Sequence, residues 1–251
     1  MDSGGGSADG TAEIGDATAV LERAALEFRE RLEGLHGVAW PMTVTQRFVG
    51  SLHRCEQQAV TELGDFVDEA RWDMFRGAAL DAYVCHVIHS GPVADPVEDL
   101  RSFWIAADRP SELEDLDSLV ADSRTAGVDR DARLADLADL AARAGVFSHV
   151  RSRFPRVEVS IAPTLAATIR LPGRVDVMLG GPGTPAASVL IEVKSGRPHA
   201  EHTAQLRHYL LLAALVHGEL PTAAAVWYPG GGETGAESVT LEVPVPGAVS
   251  S

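Results

Sequence analysis

Between Gly173 and Tyr228 the sequence changes periodicity in a fixed order, and that order limits the possible folds more than any other feature. "GRVDVMLGG" alternates in the manner of a strand. "GGPGTPA" supplies turn residues, and "SVLIEVKSG" is a second strand ended by Ser195–Gly196. "PHAEHTAQLRHYLLLAALVHG" predicts a long helix that stops at Gly218, and "TAAAVWYPGG" is another strand. Strands joined by a short turn lie antiparallel, whereas strands joined through a helix share a sheet by a crossover. The segment therefore predicts an α/β architecture with a mixed sheet flanked by helices. A β-rich stretch precedes it, "VEVSIAPTLAATIRL". "ESVTLEVPV" follows it and reads as a last edge strand, because Pro244 and Pro246 cannot donate to a central ladder.

The N-terminal half reads as helical. Apolar spacing predicts helices over 17–35, from Thr43 or Thr45 through "QRFVGSLHRCEQQAVTEL", over Trp72–Ile88, and through "DARLADLADLAARAG" with Gly145 as its C-cap. Residues 92–131 are acidic and interrupted by Pro92, Pro96 and Pro110, so 92–148 reads as a helical insertion. "MDSGGGSADG" and the residues to 16 read as a disordered leader without signal-peptide features, which makes the cytoplasm the expected location. Residues 17–251 then form a single domain. The longest apolar run, Tyr209 to Val216, is far below the roughly 18–20 residues that span a bilayer, so no membrane partner is expected. Two cysteines, Cys55 and Cys85, are too few for a disulfide framework or a four-cysteine metal site, and are expected to be reduced.

Charge is unevenly placed. Residues 1–148 hold 13 arginines against 28 acids, residues 149–210 hold 8 bases against 4 acids, and residues 211–251 hold four acids and no base. The total of −15 argues against a phosphate-rich partner, but local charge sets such attraction, and the middle segment is basic. That segment contains Lys194, the one lysine among 21 basic residues. A chain that otherwise writes every positive charge as arginine keeps a compact ammonium here, two residues after Glu192. The pair faces one side of its strand, while Ile191 and Val193 face the other, toward the core. A modest stagger of the hairpin brings Asp176 beside Glu192. Two adjacent carboxylates are costly unless a cation sits between them, and a divalent ion with oxygen ligands is the natural cation. Lysine then suits the neighbourhood of an attacking water or a developing oxyanion, a position that the broad guanidinium fork would fill differently. Gln205 and Tyr209, four apart on the following helix, share a face; Gln205 can orient a water or phosphate, and Tyr209 can reach a DNA backbone. E-x-K alone is common in exposed edge strands with cross-strand ion pairs, and Tyr209 alone reads equally as a packing aromatic.

"GRVDVMLGG", "VLIEVKSG" and "AQLRHYLLL", in this order, resemble the P-D-(D/E)-x-K nuclease superfamily, in its RecB-like branch. "MTVTQRFVGSLHRCEQQAV" is similar to that branch's opening helix, and "FRGAALDAYV" to its G-x-x-x-H helix. The resemblance covers roughly 42–90 and 157–228; nothing matches 92–148. It implies a restriction-endonuclease-like αβββαβ core and a Mg2+- or Mn2+-dependent DNA nuclease, exonuclease-like, in repair, recombination or defence against foreign DNA. It implies Asp176, Glu192 and the Val193 carbonyl as metal ligands, Lys194 as the catalytic lysine, and Gln205 and Tyr209 as the helix motif. Asp81 stands four residues after Gly77, where the branch has histidine; it is an oxygen ligand, and His86 and His89 on the same helix are the alternatives. Arg174, Arg197 and Arg207 are expected DNA contacts. Cys55 lacks the partner cysteines of iron–sulfur members, so no cluster is expected. Two other readings stay open: a nuclease-fold protein that binds DNA or a protein partner without cutting, and an acidic adaptor that docks a partner through 92–148.

Overall fold

The computed structural model describes residues 7–32, 42–43, 68–121, 130–180, 187–230 and 238–243. Its elements in chain order are α1 (Ser7–Leu32), β1 (Met42–Thr43), α2 (Asp68–His89), α3 (Pro96–Ala106), α4 (Pro110–Ala121) and α5 (Arg130–Ala144). A 3-10 helix (Gly145–Arg153) leads to β2 (Arg156–Ile161), β3 (Thr164–Leu165), β4 (Ile169–Arg170), β5 (Gly173–Leu179) and β6 (Val189–Val193). Then come α6 (Ala200–His217), β7 (Ala223–Tyr228) and β8 (Ser238–Glu242).

The main sheet has the order β2-β5-β6-β7-β8. β5 and β6 are an antiparallel pair, β6 and β7 run parallel through the α6 crossover, and β8 returns antiparallel at the edge. This is the mixed α/β sheet that the order of periodicities predicts. β7 is buried at every position, as a central strand covered on both faces must be, and its three alanines leave room for the helices. A second, small sheet of order β1-β4-β3 lies apart from the first.

Two cores fill the two faces. On one, α2 to α5 close over Val177, Val193 and Trp227, with the Phe147 ring edge-on to Trp227 at 5.0 Å. On the other, α6 lays Leu206, Tyr209, Leu210 and Ala213 against Val175, Leu190 and Val226. The described residues of the insertion form α3, α4 and α5, and they complete the first core with Leu100, Trp104, Leu116 and Leu137. Its first helix is fixed locally: the Asp95 carboxylate accepts from the N–H groups of Val97 and Glu98, with Pro96 at the first helical position. No helix among the described residues is long and apolar enough to cross a membrane.

Two expectations differ from the structure. Helix α1 begins at Ser7, so residues 7–16 are helical rather than disordered. Gly145 has no left-handed backbone and does not cap α5; it opens the 3-10 helix that carries Phe147 into the core. The β-rich stretch "VEVSIAPTLAATIRL" forms most of β2 and then the β3–β4 hairpin, which turns on Ala166 and Ala167, both at positive φ. The helix expected over 46–63, the 181–186 turn and Cys55 lie outside the described residues. Gly218 does cap α6, at φ 71°, with its N–H donating to the Ala214 carbonyl at 2.8 Å.

Candidate active site

The register of the β5–β6 hairpin builds the site. The ladder ends at the Val177–Ile191 pair, which leaves Asp176 beside the Glu192–Val193 end of β6. The ladder ends there because the Asp176 side chain takes it over: Oδ2 accepts the Val193 N–H at 2.7 Å. Ile191 and Val193 turn into the first core, as alternation requires, which puts Glu192 and Lys194 on the opposite face. The Lys194 ammonium donates to Glu192 Oε1 at 2.5 Å, and its backbone N–H donates to the Trp227 carbonyl at 3.0 Å. From α6, Gln205 Nε2 donates to the same Glu192 Oε1 and to the Tyr209 hydroxyl, both at 2.7 Å. The i, i+4 spacing of Gln205 and Tyr209 thus ends on one carboxylate.

These groups line a cavity of about 370 Å3 together with Asp81 of α2, Arg174, Pro172, Gly173 and His208. Five elements or loops therefore converge on it. Glu192 is 4% exposed, and its second oxygen, Oε2, is buried without a hydrogen-bond partner. A buried carboxylate with one bare oxygen is expensive unless a proton or a cation satisfies it. Asp81 and Asp176 respond to the same crowding. Burial, then the Glu192 charge, pushes the Asp81 carboxyl up to about 7. Burial first, then Glu192 and Asp81, raises Asp176 well above the usual carboxylate range. Tyr209 is 5% exposed, and burial followed by the Glu192 charge keeps its hydroxyl protonated. It is a strut of the cavity wall rather than an arm reaching outward.

The donor set is three carboxylates, with the Val193 backbone beside them. Oxygen ligands of this kind are those a hard divalent cation takes, and Glu192 Oε2 is the carboxylate oxygen left without a partner. Among the described residues, no group of three or more His, Cys, Asp or Glu side chains is already drawn together as a metal site. The hydrogen bonds explain this: Val193 holds one oxygen of Asp176, while Lys194 and Gln205 hold one of Glu192.

The alternatives to Asp81 are not in the cavity. His86 lies 3.9 Å from Asp99 of α3, and His89 is exposed at the far end of α2. Cys85 is a buried free thiol, which burial and the nearby acids push up to about 12, so it stays protonated and inert. Of the three arginines, only Arg174 lines the cavity, 3.4 Å from Glu158. Arg197 is exposed in the loop after β6, and Arg207 turns away to pair with Glu242 of β8 at 3.2 Å.

Sequence reasoning missed His208. It sits three residues after Gln205, a spacing that could have placed it on the cavity face, and burial lowers its pKa. It also missed Arg76 of α2, whose guanidinium donates to the Ser195 carbonyl at 3.0 Å and to Asp136 of α5 at 2.6 Å. The acidic insertion thereby grips the residue that follows Lys194. Gly173 is a third omission. A Cβ there would lie 2.5 Å from Leu212 Cδ1 and 3.2 Å from Tyr209 Cε1, so only glycine lets β5 approach α6 this closely. Gly173→Ala is expected to cost roughly 1–3 kcal/mol through overpacking. A lowered thermal midpoint would check this, and an unchanged one would show that the two side chains relax freely.

No family model matches this chain, and no curated protein matches it. Among the solved structures that match is "Crystal structure of SSO0001", 18% identical, covering 70% of this chain and 80% of that chain, with a TM-score of 0.30. At that score the likeness carries no argument. The class that the topology defines is an α/β protein with a mixed five-stranded sheet.

Proposed function

We propose that the cavity is the active site of a divalent-metal-dependent deoxyribonuclease, built on a restriction-endonuclease-like core of the RecB-like kind. One observation carries the reading: a buried glutamate with a bare oxygen faces Asp176 across a hairpin, with the chain's single lysine 2.5 Å away and Asp81 arriving from α2. Asp176, Glu192 and Asp81 would hold Mg2+ or Mn2+, with the Val193 carbonyl as a further oxygen. Such an ion polarises a phosphate and lowers the pKa of a bound water. Gln205 holds Glu192 in place from α6. Lys194, released from Glu192 when that charge is shared, offers its ammonium to the oxyanion that develops at phosphorus. Arg174 meets the flanking phosphate. Arg197 on the loop after β6 can add a backbone contact, whereas Arg207 is engaged elsewhere. None of these groups reads bases, which suits an exonuclease-like activity in repair, recombination or defence.

A second reading, a nuclease-fold protein that binds without cutting, is favoured by the absence of a ready-made metal cluster among the described residues. The acidic block 92–148 would then serve as a docking face for a protein partner. Incubating a fluorescent DNA oligonucleotide with the protein and Mg2+ or Mn2+ separates the two. The first reading predicts cleavage that chelation stops. Binding without cleavage under both ions would select the second.

A further inference from the structure

We propose that the segment from Arg151 to Arg156 is a docking platform for single-stranded nucleic acid, separate from the cavity. Phe154 is the anomaly that points to it. Its backbone is left-handed, at φ 52° and ψ 55°, and its ring is 69% exposed. A bulky residue in that conformation is a genuine outlier, and the following Pro155 restricts the position further toward extended backbone. Glycine would sit there without strain, and a buried ring would at least contribute packing. The left-handed backbone of Phe154 ends the 3-10 helix as its C-cap, a role that glycine fills without strain, and its exposed ring adds no buried packing. An aromatic face held outward on a strained turn fits a stacking partner.

Its neighbours supply the charge. Arg151, Arg153 and Arg156 are exposed, and none makes an ion pair with an acid among the described residues. Arg151 donates to the His89 carbonyl at 3.2 Å, and Arg156 to Met178 Sδ at 3.1 Å, so both are positioned but not neutralised. The nearby acid Glu158 is occupied by Arg174 and Arg109. Three uncompensated guanidiniums around one exposed ring, in a chain of net charge −15, select a phosphate polymer whose bases are free to stack. A duplex, with its bases enclosed, offers the ring nothing comparable.

The platform has a fixed place relative to the cavity. Arg156 pairs with Met178, and the Gly180 N–H donates to the Arg153 carbonyl at 3.0 Å, whereas Arg174 opens the cavity at the other end of β5. Six residues of extended strand separate the two ends, roughly 20 Å. A single strand held by Phe154 could extend to the cavity without being bound there. The choice of ligand rests on the nuclease reading; the platform itself does not need the cavity to cut.

The test is equilibrium binding of labelled oligo-dT in the presence of a chelator, so that no cleavage intervenes. Phe154→Ala should weaken oligo-dT binding about tenfold, the scale of losing one base stack, while Phe154→Trp retains it. Phe154→Gly, which the left-handed backbone accommodates, should lose binding equally and guards against misfolding. Arg153→Ala should weaken binding and lower its salt dependence. Binding of inorganic polyphosphate should not respond to Phe154. Wild-type affinity in Phe154→Ala and Phe154→Gly would overturn the platform. So would equal losses for oligo-dT and polyphosphate, no oligo-dT binding by the wild type, or an oligomer that dissociates in Phe154→Ala in place of a binding change. A protein that cuts but ignores Phe154 refutes the platform alone; one that binds through Phe154 but never cuts refutes the cavity reading alone.

Discussion

Lys194→Ala is expected to slow metal-dependent cleavage of a DNA oligonucleotide by roughly 10²–10³-fold, the usual cost of removing one preorganised donor to a developing oxyanion. The geometry makes this a loss of rate rather than of structure. Lys194 is held at its backbone by Trp227 and at its ammonium by Glu192, and its side chain is only partly buried. Its removal takes one partner from the buried Glu192 carboxylate, but Gln205 still donates to the same oxygen at 2.7 Å. Lys194→Arg should restore little of the rate. The guanidinium fork is wider, and beside Glu192 it would compete for the oxygen that an ion requires. Single-turnover rates at saturating protein check both variants. Equal rates in wild type and Lys194→Ala would remove the lysine from the chemistry.

The second large effect concerns the carboxylates in the metal-free protein. Asp81 is raised to about 7 and Asp176 is raised in the same direction, both chiefly by burial. An unfolded aspartate titrates near its ordinary value of ~3.9. Between that value and about 7 the folded chain therefore holds a proton that the unfolded chain has lost. Stability must fall as pH rises through this window, and the full penalty is present above it. Asp81→Asn and Asp176→Asn remove the ionisation. Asp81→Asn should stabilise the metal-free protein at pH ~8 by on the order of 2–3 kcal/mol, Asp176→Asn should act in the same direction, and both should do little below pH ~4. A divalent cation should do for the wild type what asparagine does for the variants, raising its midpoint at high pH and much less at low pH. Denaturant melts at several pH values, with and without Mn2+, read all of this. A wild-type midpoint that stays flat with pH would mean that the carboxylates share no common pocket.

The strands, the crossover helix and the site are legible for one reason: each is written in a short period. The alternation of β6 puts Glu192, and Lys194 two residues on, on the face away from Ile191 and Val193, and the four-residue step from Gln205 to Tyr209 brings those two together, with Gln205 on Glu192. Features set by tertiary contact are not legible. Nothing local marks Ala166 and Ala167 as turn residues at positive φ, because alanine carries no turn signal. The Gly/Ser/Asp composition before Ile14 conceals the first turns of α1, since those residues are weak helix formers. Gly145 looks like a helix stop, yet the pull of Phe147 toward Trp227 continues the chain as a tighter helix. Arg76 and Asp136 are 60 residues apart, and no period could have joined them to Ser195.

Calorimetric titration of Mn2+ into the wild type and Asp176→Asn at neutral pH decides whether Asp176 and Glu192 share a divalent cation. The account predicts binding in the wild type, with protons released as Asp81 and Asp176 ionise, and a large loss of affinity in the variant. Equal binding by both proteins, or no binding by the wild type, would contradict it.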